Sequence, residues 1–541
     1  VTERASAIVR RLQQMQAERL VHESTWRDCY HYTYPERMQG LAGDQLEDAA
    51  SIQRRRGEVL DSTATDGVRL LSSAVVSGMT PANAVWFALD VGDETDDERR
   101  WLDDTSRTIW EAIHASNYDA HKFDAVTDSV CAGWCVLYID EDMGRLQFDR
   151  WPISQCFGAA SKPGGRIDIL YRLYSMTAEQ AFLEYGDKAS DRIKADARDK
   201  PTTKHQIVHA IYPRSIMGDV GLSGSLPYES VHVEVATKQE LRSGGYHEQP
   251  FVVPRWSPLP GSVYATGPVS QALPTIRELN ALLALEKSAL ARAAAGVYVA
   301  EDDGVLNPRT VTVRGGSIIV ANSVDSIKPL PSGADFQVTF AKADEMRREI
   351  RRLLMADQLQ PQDGPAMTAT EVHVRVALIR QLLGPLFGRF QAEDLAPTIE
   401  RCFGLLFRYG RPEIGGEPGD VLIDDPPDSL AGEVFRIRYQ SPLARAQQLD
   451  DVTAIERVLM MAGAMAQVGK TDALDLIDSD EALRIAGDGL GAPSKVLRDE
   501  RAVAALREAR REQQEAQAQQ AQAQQMQTMA ADAAFKRAAA Q

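Results

Sequence analysis

Residues 250–359 constrain the fold more than any other stretch, because they read as two helical arms joined by a small β excursion. Gly267 and Pro268 open the first arm, proline being tolerated at a helix start where a missing N–H costs little. Pro274 either kinks this arm or starts a second, longer helix. Leu273, Ile276, Leu279, Leu283 and Leu290 recur at helical spacing and form one apolar stripe. A helix over 274–295 spans about 33 Å at ~1.5 Å per residue, and Gly296 stops it. Residues 297–299 then read as a strand, and 309–313 and 317–322 flank Arg314-Gly315-Gly316 as a glycine-turn hairpin. The chain returns over 335–359 through Phe336, Phe340, Ala343, Met346, Ile350, Leu353 and Leu354. This second helix is crowded with Lys342, Arg347, Arg348, Arg351 and Arg352, while Asp344, Glu345 and Glu349 interleave with them. Its polar face is therefore mixed in charge.

The flanking sequence supplies a body for these arms. Residues 1–35 read as a helix with Ile8, Leu12, Met15, Leu20 and Trp26 on its apolar face. Asp61-Ser62-Thr63-Ala64-Thr65 precedes another helix, through Val68, Leu70, Leu71 and Val75, and Trp86-Phe87 starts a strand. Residues 99–132 are helical in pattern, and 135–139, 146–148, 167–171, 207–212 and 231–235 are strand-like. Thr177-Ala178-Glu179-Gln180 is a capping box among them. Residues 50–255 thus read as one α+β domain. After a loop at 360–366, a second capping box at Thr368-Ala369-Thr370-Glu371 launches helices to 409, with kinks expected at Gly384-Pro385 and Pro397. Residues 411–433 read as linker, 434–439 as a strand and 443–486 as helices. The Ala/Gln/Arg/Glu-rich tail, 494–541, fits either a long helix or a disordered segment.

Chemistry is sparse. The chain holds no G-x-x-x-x-G-K-S/T loop, G-x-G-x-x-G fingerprint, H-E-x-x-H or G-x-S-x-G motif. Cys131 and Cys135 read as buried thiols beside Trp134 rather than metal ligands, and His373 as a structural histidine. Five scattered cysteines suit reduced thiols. No apolar run is long enough to span a membrane, and residues 1–6 lack the character of a signal peptide, so a cytoplasmic origin is expected. A net charge of −17 excludes a surface that grips nucleic acid everywhere. It leaves room for DNA passing along a local lining.

Several collinear blocks resemble the portal, or head-to-tail connector, proteins of short-tailed double-stranded DNA bacteriophages. One runs Asp61-Ser62-Thr63-Ala64, Leu71-Ser72-Ser73, Ser77-Gly78-Met79-Thr80-Pro81 and Trp86-Phe87. A second runs Pro250-Phe251-Val252-Val253-Pro254-Arg255-Trp256, Tyr264, Gly267-Pro268, Ala272-Leu273-Pro274 and Leu279-Asn280. A third runs Met367-Thr368-Ala369-Thr370-Glu371-Val372, Gly384-Pro385, Arg389 and Glu393. Gly261-Ser262-Val263-Tyr264-Ala265-Thr266-Gly267 departs somewhat from the family's pattern.

The resemblance implies a portal-type α+β subunit of a homo-oligomeric ring, commonly of twelve copies, at one capsid vertex. Double-stranded DNA is pumped through such a ring by a terminase and later released through the tail. By order along the chain, 1–49 is an N-terminal helical segment, 50–255 the wing, 256–295 the first stem helix, 296–335 the clip and 336–359 the second stem helix. Residues 360–368 correspond to the tunnel loop, 369–440 to long helices returning to the wing, and 441–541 to the helical crown or barrel. The implied DNA-channel residues are Lys342, Arg347, Arg348, Arg351 and Arg352, which ring symmetry would multiply into a belt facing phosphates. The same arginines could instead bridge to acids on their own helix or a neighbour. Pro361, Gln362, Asp363, Gly364 and Pro365 are tunnel-loop candidates, and Arg309, Arg314, Gly315 and Gly316 are clip candidates for docking the terminase and tail adaptor. Major capsid and scaffolding proteins are further implied partners. No cofactor, metal, catalytic residue or membrane is implied, and the place is the virion after assembly in the host cytoplasm. The competing readings are a helical scaffold or adaptor without DNA contact, and a metal-dependent hydrolase.

Overall fold

The apolar spacing at the N-terminus produces a 29-residue helix, α1 (Glu3–His31). It buries Ile8, Leu12, Met15 and Trp26, whereas Leu20 is 63% exposed. At ~100° per residue Leu20 lies well round the helix from that buried row, so it leaves the face the spacing assigned it. The computed structural model describes residues 3–41, 49–92, 95–216, 226–295, 298–300, 320, 323, 327–329, 336–359, 384, 386–430, 436–439, 442–467, 478–490, 503 and 506–514. The chain forms two compact units, Val1–Asn83 with Thr108–Asp424, and Ala84–Arg107 with Asp425–Gln541. The stretch 50–255, read from sequence as one block, is thus interrupted at 84–107. The cause is a strand pairing between segments far apart in the chain, which local periodicity does not record.

Further elements follow in chain order: α2 (Ala49–Glu58), α3 (Thr63–Met79), β1 (Phe87–Asp90), α4 (Asp96–Ala115), α5 (Tyr118–Ala132), β2 (Val136–Asp142) and β3 (Arg145–Trp151). Then come β4 (Cys156–Ala159), β5 (Ile169–Thr177), α6 (Ala178–Tyr185), α7 (Asp191–Asp199), β6 (Lys204–Pro213), β7 (Tyr228–Glu234), β8 (Gln239–Tyr246) and β9 (Phe251–Val252). In the first unit β4 to β8 form an antiparallel meander in sequence order, and β3, β2 and β9 form a second sheet. Alternation along the meander gives it two faces. Tyr171, Val208, Ala210, Val231 and Val233 pack with Ala5, Ile8 and Leu12 of α1. Arg172, His209 and His232 stand at the alternate positions, paired in register as Arg172↔His209 and His209↔His232. At the start of α6, Gln180 N–H donates to Thr177 Oγ1 and Thr177 N–H to Gln180 Oε1, so the capping box forms.

The largest core joins α1, α3 and α5 to the arms. Its centre is an aromatic group in which Trp26, Trp134 and Tyr264 have ring centroids 5.1 to 5.5 Å apart. Short strands β10 (Ser257–Pro258) and β11 (Ala265–Thr266) lead into α8 (Pro268–Ala295), one continuous 28-residue helix that carries Pro274 in its interior. Two glycines set its starting point. A Cβ at Gly133, which has φ +92°, would sit 2.4 Å from the Thr266 carbonyl carbon, and one at Gly267 would sit 2.4 Å from Val130 O. Neither position has room for a side chain, so the end of α5 and the beginning of α8 approach backbone to backbone.

Beyond α8, β12 (Tyr298–Ala300) pairs antiparallel with β13 (Ile327–Pro329). The chain then returns as α9 (Phe336–Leu353) and α10 (Ala356–Leu359). A π-helical turn, Gln391–Leu395, precedes α11 (Ala396–Arg408), and Ala396 N–H bonds to Gln391 O five residues back. Pro397, where a kink was expected, supplies no N–H to continue the ordinary ladder, and the wider turn accommodates that. In the second unit β1 pairs antiparallel with β14 (Arg436–Tyr439), and Leu89 N–H donates to Ser106 Oγ at 3.0 Å. Two helices, α12 (Pro442–Gln467) and α13 (Ser479–Leu490), follow, with Asp478 accepting from Asp480 and Glu481 N–H to cap α13. Among the described residues no helix is long and apolar enough to cross a membrane.

Candidate functional site

The five basic residues of α9 do not act as one set. Ala343, Met346, Ile350 and Leu354 are buried and fix the helix's inward face. Arg347 stands at the edge of that face, where its Nε donates to Asp61 Oδ2 at 2.8 Å and its Nη1 to Asp344 Oδ1 at 2.9 Å. Asp61 Oδ1 also accepts Thr63 N–H at 2.9 Å, so a single carboxylate starts α3 and ties it to α9. Burial pushes the Asp61 carboxyl up, but its bonds to Thr63 and Arg347 outweigh that and hold it below its ordinary value. Lys342 bonds to Glu345 at 3.0 Å. Arg348 donates only to the Asp344 carbonyl at 3.3 Å, and Arg351 and Arg352 make no hydrogen bond or ion pair among the described residues. These last three are exposed and lie within about 100° of one another around the helix. They form a guanidinium strip beside Asp344, whose carboxylate is engaged by Arg347.

The blocks that carry the family resemblance meet where the arms leave the body. Asn280 Oδ1 accepts Leu60 N–H at 2.9 Å, while its Nδ2 donates to Ile276 O, so a buried amide joins α8 to the segment before α3. Arg255 grips Glu393 through Nε and Nη2, and its backbone N–H donates to the same carboxylate at 3.0 Å. Arg389 Nη1 donates to Trp256 O at 2.6 Å. Leu354 closes over Gly67, where a Cβ would lie 2.6 Å from Leu354 Cδ1. These bonds cross long sequence separations, so only the collinear motif blocks signalled them.

Farther out, the arms lose their cover. Leu285 is 68% exposed, Leu290 46% and Phe340 52%. Leu290 was expected on the apolar stripe and Phe340 among the apolar positions of α9, yet both are exposed, with nothing among the described residues covering them. The hairpin at 309–322, with Arg309, Arg314, Gly315 and Gly316, lies outside the described residues apart from Val320. So do the tunnel-loop residues Pro361, Gln362, Asp363, Gly364 and Pro365, and His373.

Elsewhere the reactive groups are spent on structure. All five cysteines are buried and free, and burial raises the thiols, Cys29 and Cys156 to about 12. Among the described residues no cluster of His, Cys, Asp and Glu is placed to hold a metal. Lys122 and Asp394 form a buried ion pair, and the buried Asp128 accepts from Tyr30, Arg37 and Arg150. One group escaped the sequence reading: His209 and His232 stack at 4.0 Å on the polar face of the meander. The signal was present, since each interrupts an apolar strand at the position that alternates away from α1.

The bacteriophage head to tail connecting protein family matches this chain over residues 5–497. A portal protein of Salmonella phage epsilon15 is 27% identical over 531 residues, covering 94% of this chain and 91% of that protein. A probable portal protein of Bordetella phage BPP-1 is 25% identical over 529 residues, covering 93% and 90% respectively. Among solved structures, a chain from the neck of an empty GTA particle computed with C6 symmetry aligns at 14% identity and a TM-score of 0.37, covering 78% of this chain and 94% of that one. A chain from the neck of a native GTA particle computed with C12 symmetry aligns at 14% identity and a TM-score of 0.33, covering 79% and 91%.

Proposed function

We propose, for a chain that belongs to the bacteriophage head to tail connecting proteins, that it serves as the portal through which double-stranded DNA enters and leaves the capsid. It is a structural connector of the virion and not an enzyme. Twelve copies close into a ring by repeating one heterologous interface, so modest contacts per subunit add up to a stable assembly. The meander unit forms the wing, α8 and α9 the stem, the β12–β13 region the clip, 360–368 the tunnel loop and α12–α13 part of the crown. The terminase and then the tail adaptor dock at the clip, major capsid and scaffolding proteins surround the ring, and assembly takes place in the host cytoplasm.

The observation that carries this reading is the division of the α9 cations. Arg347 holds the stem to the body through Asp61, while Arg348, Arg351 and Arg352 are left to face a polyanion. Repeated around a ring they would make a belt of positive charge. A duplex has to slide past that belt, so a few contacts per subunit serve better than a continuous basic wall, and the net charge of −17 is compatible with that.

The test is a triple variant, R348A/R351A/R352A, assembled into procapsids and assayed for nuclease-protected DNA, with rings counted by negative-stain electron microscopy. Rings should form at the normal frequency while packaged DNA falls several-fold. Loss of rings would make these residues interface groups, and unchanged packaging would remove them from the channel.

A further inference from the structure

A cavity of about 400 Å³ opens on the polar face of the meander, lined also by β2, β3 and α6. Its geometry is unlike a gap left by poor packing. The Arg172 guanidinium lies 4.7 Å from the Trp151 ring centroid and 4.9 Å from that of Tyr174. Its Nε donates to Gln155 Oε1 at 3.0 Å, and its two Nη groups have no partner among the described residues. Trp151, itself only 3% exposed, keeps an Nε1–H with no acceptor. Both groups donate only; the Trp151 N–H is enclosed, and a buried donor left without an acceptor costs roughly 1–3 kcal/mol, whereas Arg172 is half-buried. The Arg172 fork thus lines the cavity with no protein acceptor among the described residues.

The acids around the cavity do not supply one. Glu184 pairs with Arg242 at 2.9 Å, and Asp140 accepts the Tyr138 hydroxyl at 3.0 Å and lies 3.8 Å from Arg401. Asp149 is exposed. His209 and His232 add no charge, because burial lowers both, His232 to about 4. Gly244 stands on β8 between Arg242 and Tyr246, and a Cβ there would meet open space, so the absence of a side chain helps leave the cavity clear.

We propose that this cavity binds a carboxylate, held by the Arg172 fork. A planar monoanion matches one guanidinium whose plane is set by flanking rings. A phosphate dianion calls for a second cation, and Arg242 is already taken by Glu184. The carboxylate comes either from an acidic side chain of a partner protein or from a free organic acid.

Isothermal titration calorimetry on the full chain, with sodium glutarate and an acetylated, amidated tetraglutamate peptide, tests this against sodium sulfate at equal ionic strength. Saturable binding of a carboxylate probe is expected, with glutarate binding marking a free acid and peptide-only binding marking a partner's side chain. R172Q should weaken it roughly tenfold to a hundredfold, the worth of a charge-assisted fork. G244V, which fills open space without touching the donors, should block it while the far-ultraviolet circular dichroism stays unchanged. No saturable carboxylate binding, tighter sulfate binding, or binding undiminished in both variants would overturn the proposal.

Discussion

At its base α8 buries Leu273, Ile276 and Leu279, and Asn280 satisfies its amide on both sides. One turn beyond, the same helix exposes Leu285 and then Leu290, and Phe340 on the returning arm is exposed too. Leu285 lies across the helix from the buried row, but Leu290 lies on it, so at Leu290 the difference is in the surroundings. The base meets α3, α5 and α9 of its own chain, whereas farther out Leu290 and Phe340 are exposed and uncovered among the described residues. On the proposed reading, these arms are the stem, anchored by the subunit at the base and completed farther out by assembly.

The sharpest way to break the comparison is to cut equal amounts of apolar side chain from the two halves. Ile276→Ala should destabilise the subunit by about 3 kcal/mol, read as a lower urea midpoint, because it leaves a cavity in a closed core. Leu290→Ala should change the isolated subunit by less than about 0.5 kcal/mol. Comparable losses would mean that the outer half is packed after all.

A middle-sized effect is expected at the joint. Asp61→Ala removes both the bond from Thr63 N–H and the ion pair with Arg347, and should cost roughly 1–2 kcal/mol. Its pH dependence has a fixed sign. Since the folded carboxyl is held below its ordinary value, the stability it contributes is present above the usual carboxylate range and is lost as the pH falls through the folded value. The acid limb of the stability profile should therefore be shallower in D61A than in the parent. An identical limb in both would show that the Asp61–Arg347 bond adds nothing in solution.

The smallest effect on the subunit, and the largest on assembly, belongs to the exposed edge. L285S/L290S should leave thermal unfolding of the subunit within about 1 °C, yet shift sedimentation toward smaller species. Full-sized rings from that variant would move the subunit interface away from the outer stem.

Much of this was legible in sequence because it depends on local chemistry. The Thr177–Gln180 capping box, the start of α8 at Pro268 and the apolar rows of α1 and α9 all follow from spacing over one or two turns. Leu290 and Phe340 misled because helical spacing records what could be buried and not what arrives to bury it, whereas Leu20 sits off the buried row of α1 by its spacing alone. The arginines of α9 read as one pool because a helical pattern cannot show that Asp61, far back in the chain, would claim Arg347. The stacked His209 and His232 depend on the register of two neighbouring strands, and the contact of Trp151 with Arg172 on two sheets meeting, which no window of sequence contains.

By itself, then, the sequence determined the helix–β–helix layout of 250–359, the alternation of the meander strands and, through collinear motif blocks, the family. Those properties are written in backbone propensity and in the order of residues along the chain. Only the tertiary structure decided which apolar side chains are covered, which charges are spent on holding the stem, and which cations and donors remain free. Burial and ion pairing depend on distances between residues that lie hundreds of positions apart, and those distances exist only once the chain has closed on itself.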